Sequence, residues 1–451
     1  MKKMLSAITL VTASALALGA CASGPTTSPS AAGSASASAA PQNIKLWLAG
    51  GDTPDALRDY LKTTYKTKTG GTLTIEEQSW GDLVTKLTTA LPDANNTPDV
   101  VEVGNTQSPT FTNVGAFSDV SDLYTPLGGD KLLQSFVEVG KVDGKNYTLP
   151  YYFGSRYMFY RKDIYTAAGV SVPKTLDEFN ANVKTITTKN PKTIKDFSGF
   201  FIGGQDWRNG ISWIFANGGD LAKNENGQWV STLSDPNSIK GLTQLQDIFT
   251  NASKAPKTAK DESPWLYIND SDVIKGDADD PDKVTGKTSL AAATIMAPGW
   301  AHWSIGDLKG DKRVWNDDKF GVLVLPGNDG KPAPVFAGGS NIGISAKSKN
   351  QEGSRELMKI IFSPEYQQML GKNGLGPANA DYVSSLGDDQ FAKALIESAS
   401  NSKLTPAAPG WAAVEASGKL EEFFSKVAEG GDVTALAKEY DAMLSPMLNA
   451  K

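Results

Sequence analysis

Cysteine and histidine are almost missing from this sequence, and basic residues do not outnumber acidic ones. The 451 residues include one cysteine, Cys21, and one histidine, His302. A single cysteine cannot form an internal disulfide. A single histidine excludes a metal site built from several histidines and leaves one imidazole as a possible base for a Ser/His/Asp triad. The formal net charge is −6, from 44 Lys and Arg against 50 Asp and Glu, which argues against a nucleic-acid partner and for a neutral or weakly charged ligand.

Two patterns that could bind phosphate or calcium are incomplete. Gly286 to Thr288 resembles the end of a phosphate-binding loop, but that pattern needs a glycine where this chain has Pro281. Proline removes an N–H on which such a loop depends. The acidic stretch 269–283 has Ile274 and Pro281 where a calcium loop needs oxygen ligands. We therefore predict neither a cofactor nor a metal ion.

The amino-terminal segment has the pattern of an export signal. Lys2 and Lys3 precede a short apolar stretch, residues 4–18, which is too short and too rich in Ala and Ser to span a membrane in the mature protein. The small residues before Cys21 resemble the lipobox of bacterial lipoproteins, which implies cleavage after residue 20 and acylation of the Cys21 thiol. Residues 21–42 form a Ser/Ala/Pro tether that has no apolar side chain large enough to build a core.

Three strand-and-helix steps follow the tether. Short apolar runs at 44–48, 72–76 and 100–103 alternate with helical patterns, the second of which takes in Trp80. Such steps predict parallel strands with right-handed crossovers, and ligands of such sheets bind beyond the carboxyl ends of the strands. Short polar groups stand at those ends, at residues 50–52, 77–78 and 105–107, and are suited to hydrogen bonds with hydroxyl groups.

The stretch 144–163 contains an aromatic run that is interrupted by Pro150 and by Gly154 and Ser155. Because proline cannot donate to a strand ladder, we predict two short strands, 145–149 and 157–161, that meet at a bend. Tyr151 and Arg156 lie in that bend and are candidate ligand contacts where the chain passes from one lobe to another. The alternative is an ordinary buried hairpin within one domain.

Tryptophan is frequent and unusually placed. Four of the ten tryptophans, Trp207, Trp300, Trp303 and Trp411, stand in turns rather than on helical stripes. An indole in a loop must be covered either by the core or by a ligand. Flat rings that are surrounded by Asp, Asn, Gln and Arg are typical of carbohydrate binding, whereas packing in the core is the alternative for each tryptophan.

The order of several motifs resembles the extracellular sugar-binding proteins of bacterial ABC importers, the family that includes maltose- and oligosaccharide-binding proteins. The motifs include TPDVVEVGN, GKNYTLPYYFGSRYMFYRKD, WIFANGGDL, GKTSLAAATIMAPGW, GGSNIGISAKSK and a late PGW. The resemblance implies an α/β fold of two lobes, of the type II periplasmic-binding-protein class, with a ligand cleft between them. It also implies a monomer that binds a mono- or oligosaccharide and presents it to an ABC permease.

The resemblance further implies the lobe boundaries and the remaining contacts. The amino-terminal lobe is expected at 43–152 plus 327–374 and the carboxy-terminal lobe at 153–326 plus 375–451. The solute contacts that the resemblance implies are Asp52, Asn105, Gln107, Asp206, Trp207, Arg208, Trp300, Gly339, Ser340 and Trp411. Maltose-binding proteins carry an acid in the crossover where this chain has residues 154–156, Gly-Ser-Arg, so the exact sugar stays open.

Two other functions fit the same residues. A secreted glycoside hydrolase or lyase could use Asp52 and Asp206 as an acid/base pair, although neither residue stands in a catalytic motif. A binding protein of the same fold could instead take a polyamine or a metal chelate. The sequence favours a protein that binds a sugar, with an oligosaccharide as the favoured class, at the outer face of the membrane without breaking a bond.

Overall fold

The computed structural model describes residues 41–260, 263–271, 273–274, 286–287, 289–310 and 312–450. The predicted signal segment, Cys21 and residues 22–40 of the predicted tether lie outside the described residues. Gln42, at the end of that tether, packs against the folded unit, because its main-chain carbonyl accepts a hydrogen bond from the Tyr65 hydroxyl at 2.9 Å. The Gln42 side chain also accepts from the N–H of Gly353.

The strands of the described residues are short, except for one. They are β1 Ile44–Ala49, β2 Leu73–Gln78, β3 Val100–Gly104, β4 Lys141–Val142, β5 Lys145–Asn146, β6 Thr148–Arg161, β7 Ala222–Glu225, β8 Gln228–Ser231, β9 Val273–Ile274, β10 Gly286–Lys287, β11 Thr294–Pro298, β12 Asp307–Lys309, β13 Lys312–Val314, β14 Phe320–Leu323, β15 Ala337–Ile344 and β16 Gly376–Pro377.

Helices cover the faces of the sheet. They are α1 Asp55–Thr69, α2 Leu83–Ala90, α3 Ser108–Asn113, α4 Ser121–Tyr124, α5 Gln134–Val139, α6 Lys162–Ala168, α7 Leu176–Lys189, α8 Trp207–Ala216, α9 Pro236–Asn251, α10 Gln351–Ile361, α11 Pro364–Lys372, α12 Gln390–Ser400, α13 Trp411–Ala416, α14 Lys419–Ala428 and α15 Val433–Leu448, with 3-10 turns at Gly129–Lys131, Pro264–Leu266, Gly299–Ser304 and Ala380–Leu386. None of the helices in the described ranges is long and apolar enough to cross a membrane.

The main sheet has the strand order β2-β1-β3-β15-β6-β11, and β14 and β16 also pair with β6. β1 pairs in parallel with both β2 and β3, which confirms the predicted strand-and-helix steps. The helix between β1 and β2 ends at Gly70, whose φ of 71° suits a residue without a Cβ. The carboxyl ends of β1, β2 and β3 therefore stand at the same edge of the sheet.

The predicted bend at residues 151–156 is wrong, because β6 continues through Pro150 as one strand of 14 residues. Its first half pairs with β15, and its second half pairs with β11 and β14. The register shifts where β15 passes the proline: Asn341 lies opposite Pro150, whereas Ser340 lies opposite Tyr152. Tyr151 is thus the extra residue of a bulge, and a bulge tolerates a residue that cannot donate a hydrogen bond. One long strand therefore joins the two groups of strands.

Separate apolar cores lie on the two sides of that crossing. One core packs β1 to β3 against α1, α10 and α11, with Leu46 and Leu61 completely buried. Another joins α8 and α9 to α14 and α15 around Trp213 and Leu245. A further cluster covers β11 and the second half of β6 at Ile295. The chain thus builds an α/β structure with its core divided on either side of β6.

Candidate functional site

The carboxyl ends of β1, β2 and β3 bring Asp52, Trp80 and Gln107 together beside Tyr152 of β6. Trp80 Nε1 donates a hydrogen bond to Asp52 Oδ2 at 2.9 Å, and the Tyr152 hydroxyl donates to the same oxygen at 3.0 Å. Gln107 borders the same indole, since a Cβ on Gly104 would lie 3.2 Å from Gln107 Oε1 and 3.3 Å from the Trp80 ring. We call Asp52, Trp80, Gln107 and Tyr152 the strand-end site.

Trp80 is the residue of this site that the sequence pattern places wrongly. α2 begins at Leu83, so Trp80 lies in the turn that precedes the helix, and 36% of the residue is exposed. A Cβ on Gly50 would lie 2.8 Å from Trp80 Cδ1, so the indole can lie across the end of β1 only because residue 50 is glycine. A large aromatic residue shortly after a strand end is the signal that could have identified it.

The strand-end site is electrostatically unusual. Partial desolvation by the surrounding protein raises the pKa of the Asp52 carboxyl, although the residue as a whole is exposed. The hydrogen bonds from Trp80 and Tyr152 lower this pKa. Glu77 raises the pKa of Asp52 further and Arg58 lowers it. Within the described residues, Asp52 Oδ1 has no hydrogen-bond partner, since both donors use Oδ2.

Asn105, Gly339 and Ser340 lie at the junction of β3, β15 and β6. The Asn105 N–H donates to the carbonyl of Gly339 at 3.2 Å, and Asn105 Nδ2 donates to the carbonyl of Ala337 at 3.0 Å. Ser340 is completely buried. These contacts hold β3 to β15 next to the strand-end site. The role of the three residues in solute contact stays a prediction.

Tyr151 and Tyr152 reach different surroundings. The Tyr151 hydroxyl lies 3.0 Å from Thr53 Oγ1 and 2.6 Å from the Tyr366 hydroxyl, and the residue is completely buried. Tyr152, which the sequence pattern does not select, instead reaches Asp52. Tyr151 as a solute contact stays a prediction, and Tyr152 is the neighbour that the structure brings to the strand-end site.

Arg156 and Asp206 are joined through Asn209. Arg156 Nη1 donates to Asn209 Oδ1 at 3.2 Å, and Asn209 Nδ2 donates to Asp206 Oδ2 at 2.6 Å and to the carbonyl of Met296 at 3.0 Å. Asp206 also caps α8 by accepting from the Asn209 N–H at 3.1 Å. The predicted guanidinium and acid thus belong to one buried polar network at the second half of β6.

Trp207 and Trp411 pack in the core that α8, α9, α14 and α15 share. Their exposed fractions are 1% and 2%, and their rings meet edge to face with centroids 6.2 Å apart. Trp207 Nε1 donates to Glu421 Oε1 at 3.3 Å, whereas the buried Trp411 Nε1 has no partner among the residues described. As solute contacts, both tryptophans stay predictions.

Arg208 lies between Trp207 and an acidic residue of α13. Its guanidinium carbon is 4.4 Å from the centroid of the Trp207 ring, and Arg208 Nη2 is 3.4 Å from Glu415 Oε1. The other carboxylate oxygen of Glu415 accepts from Thr106 Oγ1 at 3.0 Å. Glu415 therefore connects the predicted contact Arg208 to the loop after β3, one residue before Gln107.

Trp300 stands on the 3-10 turn after β11 and is 54% exposed. Its ring meets Trp265 edge to face, with centroids 4.8 Å apart. Trp303, on the same turn, is 76% exposed. His302 stacks on Phe391 at 4.3 Å, and burial lowers the pKa of this imidazole. Trp300 thus offers an aromatic surface, and its contact with a solute stays a prediction.

One aspartate of the acidic stretch 269–283 forms ion pairs within the folded protein. Asp270 accepts from Lys319 at 2.8 Å and pairs with Arg161 at 3.0 Å, while the other aspartates of 269–283 lie outside the described residues. Within the described ranges, no group of three or more His, Cys, Asp or Glu residues is placed to hold a metal ion.

The chain is similar to known binding proteins over most of its length. It is 30% identical over 411 residues to the diacetylchitobiose binding protein DasA of Streptomyces coelicolor, with 90% of each chain covered. Two solved structures cover 90% of this chain at 19% identity. The sugar-binding protein MalE of Xanthomonas citri matches with a TM-score of 0.74 over 97% of its own chain. The GacH receptor of Streptomyces glaucescens matches with a TM-score of 0.68 over 98% of its own chain.

Likeness at 19% identity establishes the fold, which is the two-lobed α/β fold expected from the sequence. The relatives named above are binding proteins. The model of one family, bacterial extracellular solute-binding protein, matches residues 61–396, about three quarters of the chain. This chain therefore belongs to the family of bacterial extracellular solute-binding proteins.

Proposed function

We propose that the protein captures a short oligosaccharide at the strand-end site and delivers it to an ABC permease. The observation that carries this proposal is the partly exposed Trp80 indole, which donates a hydrogen bond to the Asp52 carboxylate. A flat ring beside a charged acceptor suits a pyranose, whose apolar face stacks on the indole while its hydroxyls donate to the carboxylate. Asp52 Oδ1, which both protein donors leave free among the described residues, is the acceptor for such a hydroxyl.

Diacetylchitobiose is the first candidate solute, because the relative that is 30% identical over 90% of the chain is a diacetylchitobiose binding protein. An acetamido group adds an N–H donor to the ring hydroxyls. Gln107 Oε1 is a buried acceptor with no hydrogen-bond partner among the described residues. An amide N–H of the sugar would satisfy this oxygen, whose isolation costs about 1–3 kcal/mol.

The predicted contacts of the second lobe complete this proposal. Trp300 is an exposed aromatic residue from that side, and Arg156, which is joined to Asp206 through Asn209, lies on β6 itself. Closure of the two lobes on the sugar would bring such groups to the solute that Asp52 and Trp80 hold first. The lobe boundaries at 152/153, 326/327 and 374/375 belong to the same proposal.

The location of the protein is part of the same proposal. The family acts outside the cytoplasm, and the lipobox-like sequence before Cys21 supports a lipid anchor at the outer face of the membrane. A diacylated cysteine supplies two chains, which is enough for stable anchoring. The Ser/Ala/Pro-rich composition of residues 22–40 is typical of a tether, which would let the binding unit reach its permease.

Titration with sugars tests the proposal. The full chain with Cys21→Ala, which removes the proposed acylation site, is titrated with mono- and oligosaccharides while tryptophan fluorescence and heat are recorded. We expect saturable binding of diacetylchitobiose or a related oligosaccharide. Trp80→Ala should weaken that binding about tenfold or more, because stacking on an aromatic ring and its hydrogen bond to Asp52 are both lost.

The matched control is Trp229→Phe, which changes a half-buried tryptophan that packs against the core near α15. It should leave the dissociation constant within about twofold of the parent. Failure of every sugar to bind would remove the proposed function. Release of a monosaccharide during prolonged incubation, detected by chromatography, would instead favour the hydrolase alternative.

A further inference from the structure

A buried carboxyl group lies beside the strand-end site without facing the proposed solute. Glu102, on β3, is completely buried. We propose that Glu102 is a positioning residue for solute binding: its neutral form keeps Ser340 and Tyr152 in place around Asp52, and solute affinity falls when Glu102 ionises. This inference rests on the proposed function, since it concerns how the same site keeps its affinity.

Glu102 and Ser340 share one face of the sheet. In the antiparallel pair of β3 and β15, Glu102 lies opposite Ile342, and Ser340 lies opposite Gly104. Such diagonal neighbours point their side chains to the same face. On the other side of β15, Ser340 lies opposite Tyr152. The carboxyl of Glu102 therefore has the hydroxyls of Ser340 and Tyr152 as its neighbours across the sheet.

The hydrogen bonds around this carboxyl are incomplete. Glu102 Oε2 accepts from the N–H of Ala49 at 2.9 Å. Glu102 Oε1 and Ser340 Oγ are both buried and have no hydrogen-bond partner among the described residues. A neutral Glu102 can donate from Oε1 to Ser340 Oγ, whereas a carboxylate can only accept and so draws on the hydroxyl hydrogens of Ser340 and Tyr152. The neutral acid therefore needs no hydrogen from the Tyr152 hydroxyl, which stays with Asp52.

The electrostatics agree with this geometry. Burial raises the pKa of Glu102 to about 7, and the nearby charge of Asp52 acts in the same direction. The Ser340 hydroxyl, the Ala49 N–H and the Tyr152 hydroxyl lower it in part. Glu102 therefore changes charge near neutral pH, where ordinary glutamates are already ionised.

Charged and titratable groups approach from each element that packs around Glu102. They are Asp52 after β1, Tyr151 and Tyr152 on β6 and Tyr366 on α11, and Asp52 interacts in turn with Arg58 on α1 and Glu77 on β2. The cation among them, Arg58, pairs with Glu77 at 2.7 Å and donates to the carbonyl of Thr53 at 2.7 Å. In the described part of the chain, Glu102 has no ion pair that would stabilise its charged form.

Ionisation of Glu102 would place a second negative charge near Asp52. The carboxylate would also compete for the hydroxyl hydrogens of Tyr152 and Ser340, one of which holds Asp52. A bound solute excludes water and so favours the neutral acid further. Binding then takes up a proton, and the dissociation constant rises as the pH rises through about 7, by at most about tenfold per pH unit for a single group.

Calorimetric titration with diacetylchitobiose across pH tests this inference on the full chain with Cys21→Ala. Between about pH 6.5 and about pH 8.5, the dissociation constant of the parent should rise about fivefold to tenfold. His302 contributes little in this window, because its lowered pKa places its titration below that range. Glu102→Gln imitates the neutral acid and should keep the low-pH affinity across the window, within about twofold.

The matched control is Glu77→Gln, since Glu77 is an exposed carboxylate that also acts on Asp52. It should keep the slope of the parent. A flat pH profile in the parent overturns the inference and leaves the proposed function intact, and an unchanged slope in Glu102→Gln overturns the assignment to Glu102. Failure of the sugar to bind at every pH overturns both proposals together.

The melting temperature without sugar tests the ionisation of Glu102 independently of solute binding. A carboxyl whose pKa is raised on folding stabilises the protein fully below its unfolded pKa, and this stability is lost as the pH rises through the folded value, here about 7. The parent should therefore lose melting temperature relative to Glu102→Gln between about pH 4.5 and about pH 7, and the difference should stay constant at higher pH. If that variant fails to fold, the pH profile of the parent alone still decides, because a flat profile overturns the inference.

Discussion

Replacement of Asp52 by alanine is expected to weaken solute binding about a hundredfold. The carboxylate accepts from Trp80 and Tyr152 through Oδ2, and its other oxygen is the proposed acceptor for a sugar hydroxyl. Hydrogen bonds to a charged group contribute about 1.5–3 kcal/mol each, and about 3 kcal/mol corresponds to a hundredfold change in the dissociation constant. The variant loses the solute contact and also releases the indole that the carboxylate holds.

The measurement is a calorimetric titration with the best sugar of the panel, and circular dichroism checks that the variant remains folded. Asp55→Ala is the matched control, because Asp55 is an exposed aspartate three residues along, at the start of α1. Its dissociation constant should stay within about twofold of the parent. A folded Asp52→Ala protein that binds within about threefold of the parent would contradict the strand-end site as the solute site.

The predictable part of the site depends on local patterns. Apolar runs give way to polar residues at the ends of β1 and β3, and this change selects the stretches 50–52 and 105–107, which the family resemblance narrows to contacts that include Asp52 and Gln107. The sequence assigns Trp80 to a helical stripe because it stands three residues before Leu83, a spacing that also fits a helix. Whether a tryptophan stands on a helix or in the turn before it depends on where the first helical turn begins, which apolar spacing does not fix.

The long strand β6 shows a different limit. Pro150 argues for a break, but the shifted register of β15 absorbs it as a bulge. A bulge depends on the partner strand, which lies almost two hundred residues away in sequence, so local composition does not reveal it. Neighbouring residues of a strand face different surroundings, so a prediction that misses the bulge does not establish which tyrosine lies near Asp52. The sequence pattern selects Tyr151, which contacts Tyr366, whereas Tyr152 is the residue that reaches Asp52.

Tryptophans in turns illustrate a third limit. Trp300 and Trp411 occupy similar Pro-Gly-Trp contexts, yet Trp300 is exposed and Trp411 is buried in the core of α8, α9, α14 and α15. An indole stabilises a structure whether the protein or a solute covers it, so sequence context alone does not separate the two roles. The difference arises in part from helices that are distant in sequence, chiefly α8, whose Trp207 meets the Trp411 ring.

Gly339→Ala is expected to destabilise the protein by about 3 kcal/mol, because it combines backbone strain with a collision against main-chain atoms. Gly339 has a φ of 133°, a region that residues with a Cβ rarely adopt. The new Cβ would lie 2.5 Å from the carbonyl oxygen of Tyr152 and 2.9 Å from the Phe153 Cα. The strands would have to separate where Asn105 donates to Gly339, next to the strand-end site.

Gly338→Ala provides the matched control one residue earlier on β15. Its Cβ would meet only the carbonyl oxygen of Gly154, at an ordinary 3.9 Å. Denaturant unfolding should therefore show a loss of less than about 1 kcal/mol for Gly338→Ala and several times more for Gly339→Ala. Equal stability of the two variants would mean that β15 can shift away from β6 at little cost. The crossing of these strands would then not be the rigid support on which Ser340, Tyr152 and Asp52 keep their positions.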